Sequence, residues 1–167
     1  LAQLCSEWCA AVCAWRSQTK TVAVTEQLSA ALVRGMPNVT SLCLSSGTLR
    51  VTAGHLAAAW GDRLRELDLW CCDGLASADL RVLVRATSNL QSLRCSNLIY
   101  NHKFYPEHTA AVDHGVAMEL ASCCPLLETL KLDHFHDSFC TDSLGAIAAG
   151  CPKLSALDLG FTTNISS

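Results

Sequence analysis

Eleven cysteines and six histidines in a chain of 167 residues invite a search for metal or thiol chemistry. His134-x-His136-x-x-x-Cys140, with Cys123-Cys124 upstream, has the donor types that zinc takes. No C-x-x-C pair accompanies them, and Cys140 falls within a degenerate turn motif described below. Cys5, Cys9 and Cys13 recur every four residues, the spacing of a buried stripe on one helical face. A Cys/His nucleophile pair would need supporting groups, and the sequence offers no nucleophile elbow, phosphate-binding glycine loop or paired-carboxylate motif. The expectation is a chain without catalytic residues, metal ligands or cofactor.

The cysteines are better accounted for by the elements around them. Residues 151–160 read CPKLSALDLG, and the spacing L-x-x-L-x-L occurs five times. The copies are Val39-Leu42-Leu44, Leu64-Leu67-Leu69, Leu90-Leu93-Cys95, Leu127-Leu130-Leu132 and Leu154-Leu157-Leu159, whose first positions lie 25, 26, 37 and 27 residues apart. Three intervals match the period of a leucine-rich repeat, and the third equals one period plus an insertion of about ten residues. The second and third apolar positions of each copy are two apart, so they point to one side of a short strand. Helical spacing follows, as in Leu75, Leu80, Leu83 and Val84, or Leu144, Ile147 and Ala148. One strand and one helix per repeat predict an α/β solenoid, a parallel sheet backed by helices in which neighbouring repeats supply the core.

Smaller signals fit this frame. Pro152 and Pro125 stop the preceding helices, because proline and the residue before it leave the helical ladder. Gly150 reads as a helix C-cap. Ala57-Ala58-Ala59 and Ala146-Ile147-Ala148-Ala149 read as small surfaces that let the helices approach the sheet. Cys124 and Cys151, at the helix–strand junction, read as small buried hydrophobes.

Composition bounds the partners. Half of the residues are hydrophobic and 16% are charged, with a net charge of −3. No basic field is available to hold a nucleic-acid backbone or an anionic membrane. No apolar run approaches the roughly 20 residues that span a bilayer. Cysteines placed in apolar patterns imply free thiols in a reducing compartment, cytoplasm or nucleus, rather than a disulfide framework. The missing initiator Met and the halt just after a strand pattern imply a piece of a longer protein, with the repeat array cut at its C-terminal end.

The form C-P-x-L-x-x-L-x-L, continued by Leu69-x-x-Cys72-x-x-Leu75 and by Cys140-Thr141-Asp142-Ser143-Leu144, resembles the cysteine-containing subtype of leucine-rich repeat. Gly47 and Thr162 depart from it at the turn cysteine, and Cys95 at a strand leucine. This subtype is typical of F-box proteins, and Leu4-Cys5-x-x-Trp8 resembles the closing part of an F-box. The resemblance implies two segments: residues 1–19 as the C-terminal remnant of an F-box-like helical segment, and residues 20–167 as about five to six leucine-rich repeats. It also implies a non-catalytic, substrate-recognition role in an SCF-type (cullin–RING) E3 ubiquitin ligase. A Skp-type adaptor and a cullin would be reached through the F-box, and target proteins would be held on the concave sheet surface. A scaffold or regulator built on the same repeats without an F-box is the alternative.

Period two assigns the strand residues that face away from the core to three rows. They are Ser41-Glu66-Ser92-Thr129-Ala156, Cys43-Asp68-Arg94-Lys131-Asp158 and Ser45-Trp70-Ser96-Asp133-Gly160. Glu66, Asp68, Trp70, Arg94, Lys131, Asp133 and Asp158 are the candidate partner-binding residues of these rows. Asp68 should lie beside Arg94 and Lys131 beside Asp158, either as a simple charge ladder or as recognition groups. The insertion, residues 97–112, carries Tyr100, His102, Phe104 and Tyr105. It is expected either to fold over the rim of the binding surface and touch the partner or to pack on its own repeats.

Overall fold

The computed structural model describes residues 20–24, 33, 35–45, 53–70, 76–96, 112–133 and 139–160, the side chains of Ala23, Val24, Ser45, Trp70, Ser96 and Asp133 excepted. The F-box-like segment and the aromatic insertion up to residue 111 lie outside the described residues. Every leucine pair two residues apart marks a strand. β1 (Thr21–Val24), β2 (Ser41–Ser45), β3 (Glu66–Trp70), β4 (Ser92–Ser96), β5 (Thr129–Asp133) and β6 (Ala156–Asp158) form one sheet in sequence order, and each neighbouring pair is parallel. Parallel neighbours need a crossover of a dozen or more residues. Helices α1 (Ala53–Trp60), α2 (Ser77–Ala86), α3 (His114–Cys123) and α4 (Thr141–Gly150) lie in four of these crossovers. The fold is therefore α/β, strand and helix alternating.

Apolar spacing explains which way each helix turns. Leu80, Leu83 and Val84 on α2 are buried at i, i+3 and i+4, and Val116, Ala117 and Leu120 on α3 at i, i+1 and i+4, one face of each helix. Their starts are fixed by polar groups. The Asp113 carboxylate caps α3 by accepting the Val116 N–H at 2.8 Å, and it also accepts the hydroxyl of Ser77, the first residue of α2. One turn further along the sheet, Ser143 Oγ accepts the Cys140 N–H at 3.1 Å and lies 2.9 Å from His114 Nδ1. The helix N-termini are thus tied to one another as well as capped.

On the outer side of the helices, Glu119 of α3 binds Arg85 and, at 3.4 Å, Arg81, both of α2. The Arg85 hydrogen bond is the main influence holding the Glu119 carboxyl below its ordinary range. This clip is therefore present at neutral pH and is lost as acid protonates Glu119.

The core is a set of parallel columns. Leu42, Leu67, Leu93 and Leu130 occupy one register position across β2–β5 and are essentially sealed from solvent. Full burial of a leucine side chain contributes about 1.5–3 kcal/mol. Leu157 continues the column on β6 but is 47% exposed, because no strand is paired beyond it among the described residues. Leu44, Leu69 and Leu132 make a second buried column, in which Cys95 takes a leucine's place.

A hydrogen-bond pattern recurs at each strand entrance. The carbonyls of Lys20, Thr40, Arg65, Gln91 and Glu128 each accept two successive N–H groups from the next unit, at 2.7–3.1 Å. This doubled acceptor fixes the same register five times, and so sends every leucine pair to the same side of the sheet.

At the opposite end of each unit, one buried position, small in all but the first, precedes the first apolar residue by three. It is Met36, Gly61, Thr87, Cys124 and Cys151 in turn. Cys124 Sγ donates to the carbonyls of Val84 at 3.8 Å and Thr87 at 3.6 Å, and Cys151 Sγ to that of Leu120 at 3.6 Å. Thr87 Oγ1 likewise donates to the Val84 carbonyl at 3.2 Å. The cysteines are buried, as their spacing predicts, but they also act as weak donors that satisfy helix-end carbonyls. Burial pushes the Cys124 thiol up to about 12, so it stays protonated and unreactive.

Two expectations about small residues change. Gly150 is the last residue of α4, and Cys151 follows as the cap. Its glycine is required by contact, since a Cβ there would lie 2.1–2.5 Å from the backbone O, C and Cα of Ala121 in α3. The close approach is between helices, and Gly61 makes the equivalent contact with Ala86. Ala58, Ala148 and Ala149 are exposed, so they do not set the distance to the sheet.

Gly145 and Gly150 provide a matched pair in one helix. Nothing lies within 4 Å of a Cβ added at Gly145. Gly145→Ala is expected to stabilise the protein by about 0.5–1 kcal/mol through helix propensity. Gly150→Ala is expected to destabilise it by about 1–3 kcal/mol, because the backbone it meets cannot rotate away. Urea unfolding of both variants checks the difference in sign.

Candidate functional site

The sheet has two unlike surfaces. Its leucine side is covered by the helices, whereas the alternate residues of the same strands are half-buried or exposed. Register brings the three predicted rows together. Ser41, Glu66, Ser92, Thr129 and Ala156 are successive partners across the sheet, as are Cys43, Asp68, Arg94, Lys131 and Asp158. In the third row Ser45, Trp70, Ser96 and Asp133 are in register. Gly160 is not, because β6 ends at Asp158 and the chain leaves the sheet. The side chains of Trp70 and Asp133, and all of Tyr100, His102, Phe104 and Tyr105, lie outside the described residues.

Both expected ion pairs form in the middle row. Arg94 Nη1 lies 3.8 Å from Asp68 Oδ2, and Lys131 Nζ lies 4.0 Å from Asp158 Oδ2. These separations exceed the 2.7–2.9 Å of a charge-assisted hydrogen bond. The pairs are also largely exposed, so each contributes at most about 1 kcal/mol. Between them stands a contact that the same spacing implies: Arg94 and Lys131 are directly opposite one another. Like charges so placed repel.

Asp68 is the least comfortable member of the row. Its Oδ1 is shielded from solvent and has no hydrogen-bond partner. Desolvation raises its carboxyl above the ordinary range, and the Arg94 charge offsets this only in part. Its neighbour Cys43 is a free thiol pushed upward by burial and by the Asp68 charge, with Arg94 opposing. An ionised Asp68 is therefore maintained against a local cost. No sequence signal reveals that cost, since it depends on which carboxylate oxygen the surrounding side chains cover.

The metal and membrane readings have a narrower outcome. His134 and His136 lie outside the described residues. Among the described residues no group of three His, Cys, Asp or Glu side chains is placed to hold a metal ion, and no helix is long and apolar enough to cross a membrane. Cys43, Cys95, Cys123, Cys124, Cys140 and Cys151 are free thiols. Cys140, exposed at the start of α4, is the one whose thiol is lowered, chiefly by the Ser143 hydroxyl and backbone N–H.

The cost at Asp68 has a measurable sign. A carboxyl that binds its proton more tightly when folded destabilises the fold at pH values above its folded pKa, and the penalty disappears in acid. Asp68→Asn is therefore expected to be at least as stable as the parent at pH 7. Its relative advantage should shrink as pH falls toward about 4, the ordinary carboxylate range. Thermal melts at the two pH values check this, and a less stable variant at pH 7 would mean that the Arg94 attraction prevails. No protein-family model matches this chain, and no curated protein matches its sequence.

Proposed function

We propose that the chain is a leucine-rich-repeat solenoid whose sheet forms the concave, protein-binding surface, with its helices on the convex side. It serves as the substrate-recognition part of an SCF-type cullin–RING E3 ubiquitin ligase in the cytoplasm or nucleus. The observation that carries the binding role is the charged row Asp68-Arg94-Lys131-Asp158, held in register on a sheet face that the helices leave open. A surface built from short strands on a packed core is preorganised, so little ordering is needed on binding. The ligase assignment rests on the resemblance of the cysteine-containing repeats and of Leu4-Cys5-x-x-Trp8 to F-box proteins. Chemistry is left to other subunits, and the chain contributes position and selectivity.

Affinity purification of the protein at its native length, followed by mass spectrometry, tests both levels. Recovery of a Skp-type adaptor and a cullin is expected, together with target proteins. Ser92→Arg/Thr129→Arg places bulk on the open face without entering the leucine columns, and is expected to lose the targets while keeping the adaptor. Targets retained by this variant would contradict the binding surface. Targets recovered without adaptor or cullin would favour a scaffold built on the same repeats.

A further inference from the structure

The middle row sets its two cations side by side. Arg94 and Lys131 face one another across β4 and β5, about 4.8 Å apart at the backbone. Each side chain is 47% exposed and each reaches its own acid only at 3.8 and 4.0 Å. Their acids stand on the outer sides, Asp68 beyond Arg94 and Asp158 beyond Lys131, so within the row no acid lies between the two cations. An anion placed there would relieve their mutual repulsion.

Deepening the proposed protein-binding role, on which it rests, we propose that Arg94 and Lys131 form a subsite for an acidic side chain of the bound protein. The carboxylate sits between the two cations. Asp68 bounds the subsite beyond Arg94 and Asp158 bounds it beyond Lys131, so a second acidic residue on either side is disfavoured. The recognised feature is then an isolated Asp or Glu, and an uninterrupted acidic run fits less well.

Binding of the native-length protein to immobilised degenerate dodecapeptides tests this, with the central residue fixed as Glu, Gln or Lys in three otherwise identical sets. The Glu set is expected to retain the protein about tenfold more strongly than the Gln set, as for two exposed charge contacts together. Carbodiimide treatment should couple the Glu peptides to Lys131, located by mass spectrometry. Arg94→Ala/Lys131→Ala should abolish the preference, and the length-preserving Arg94→Gln/Lys131→Gln should do the same if the first variant folds poorly. Arg94→Glu/Lys131→Glu should transfer it to the Lys set.

Equal retention of the Glu and Gln sets, or a Glu preference that survives both neutral variants, would overturn the subsite. If Ser92→Arg/Thr129→Arg still blocks target capture in that case, the open face remains the binding surface and only the acidic subsite fails. If it does not, both readings fall together.

Discussion

The structure depends on one constraint: no strand–helix unit can finish its own core. Two inward leucines and a helix stripe expose an apolar surface on each side of the unit, and only a neighbour in the same register can cover it. The doubled carbonyl acceptor at each strand entrance supplies that register. A slip by one residue would send every leucine to the open face and every charge to the core. Leu130 and Leu157 show the consequence within one column, the first sealed between neighbours and the second half exposed at the edge.

The same constraint explains the helix ends. Stacked units bring the helix C-termini so close that Gly150 meets the Ala121 backbone and Gly61 meets Ala86. Carbonyls buried at such a junction need donors in very little space. Threonine and cysteine each offer a hydrogen on a short side chain, and Thr87, Cys124 and Cys151 use it there. The abundance of cysteine thus follows in part from packing. Burial raises the Cys124 and Cys151 thiols, so both keep the proton they donate there.

Much of this was legible from the chain. Spacing alone located β2 to β6, the parallel order of their faces and both ion pairs, because strand periodicity is a hard geometric rule; β1, with no leucine pair, escaped it. Asp68–Arg94 and Lys131–Asp158 needed no further information. Features that depend on how whole helices approach one another were not legible. Gly150 reads as a C-cap from its position before Cys151-Pro152, and only the proximity of Ala121 reveals its other role. Glu119 reaches Arg81 and Arg85 across a sequence gap that contains the whole insertion, so no local pattern announces it. The dehydrated Oδ1 of Asp68 is likewise a property of its surroundings.

If neighbours supply the core, equal truncations at equivalent positions must have unequal costs. Urea unfolding of Leu130→Ala and Leu157→Ala tests this most directly, since the two residues are register partners on β5 and β6. Leu130→Ala is expected to lose about 2–5 kcal/mol, the range for a fully buried leucine. Leu157→Ala is expected to lose about 1 kcal/mol, as its side chain is already half in water. Equal losses at the two positions would contradict the account.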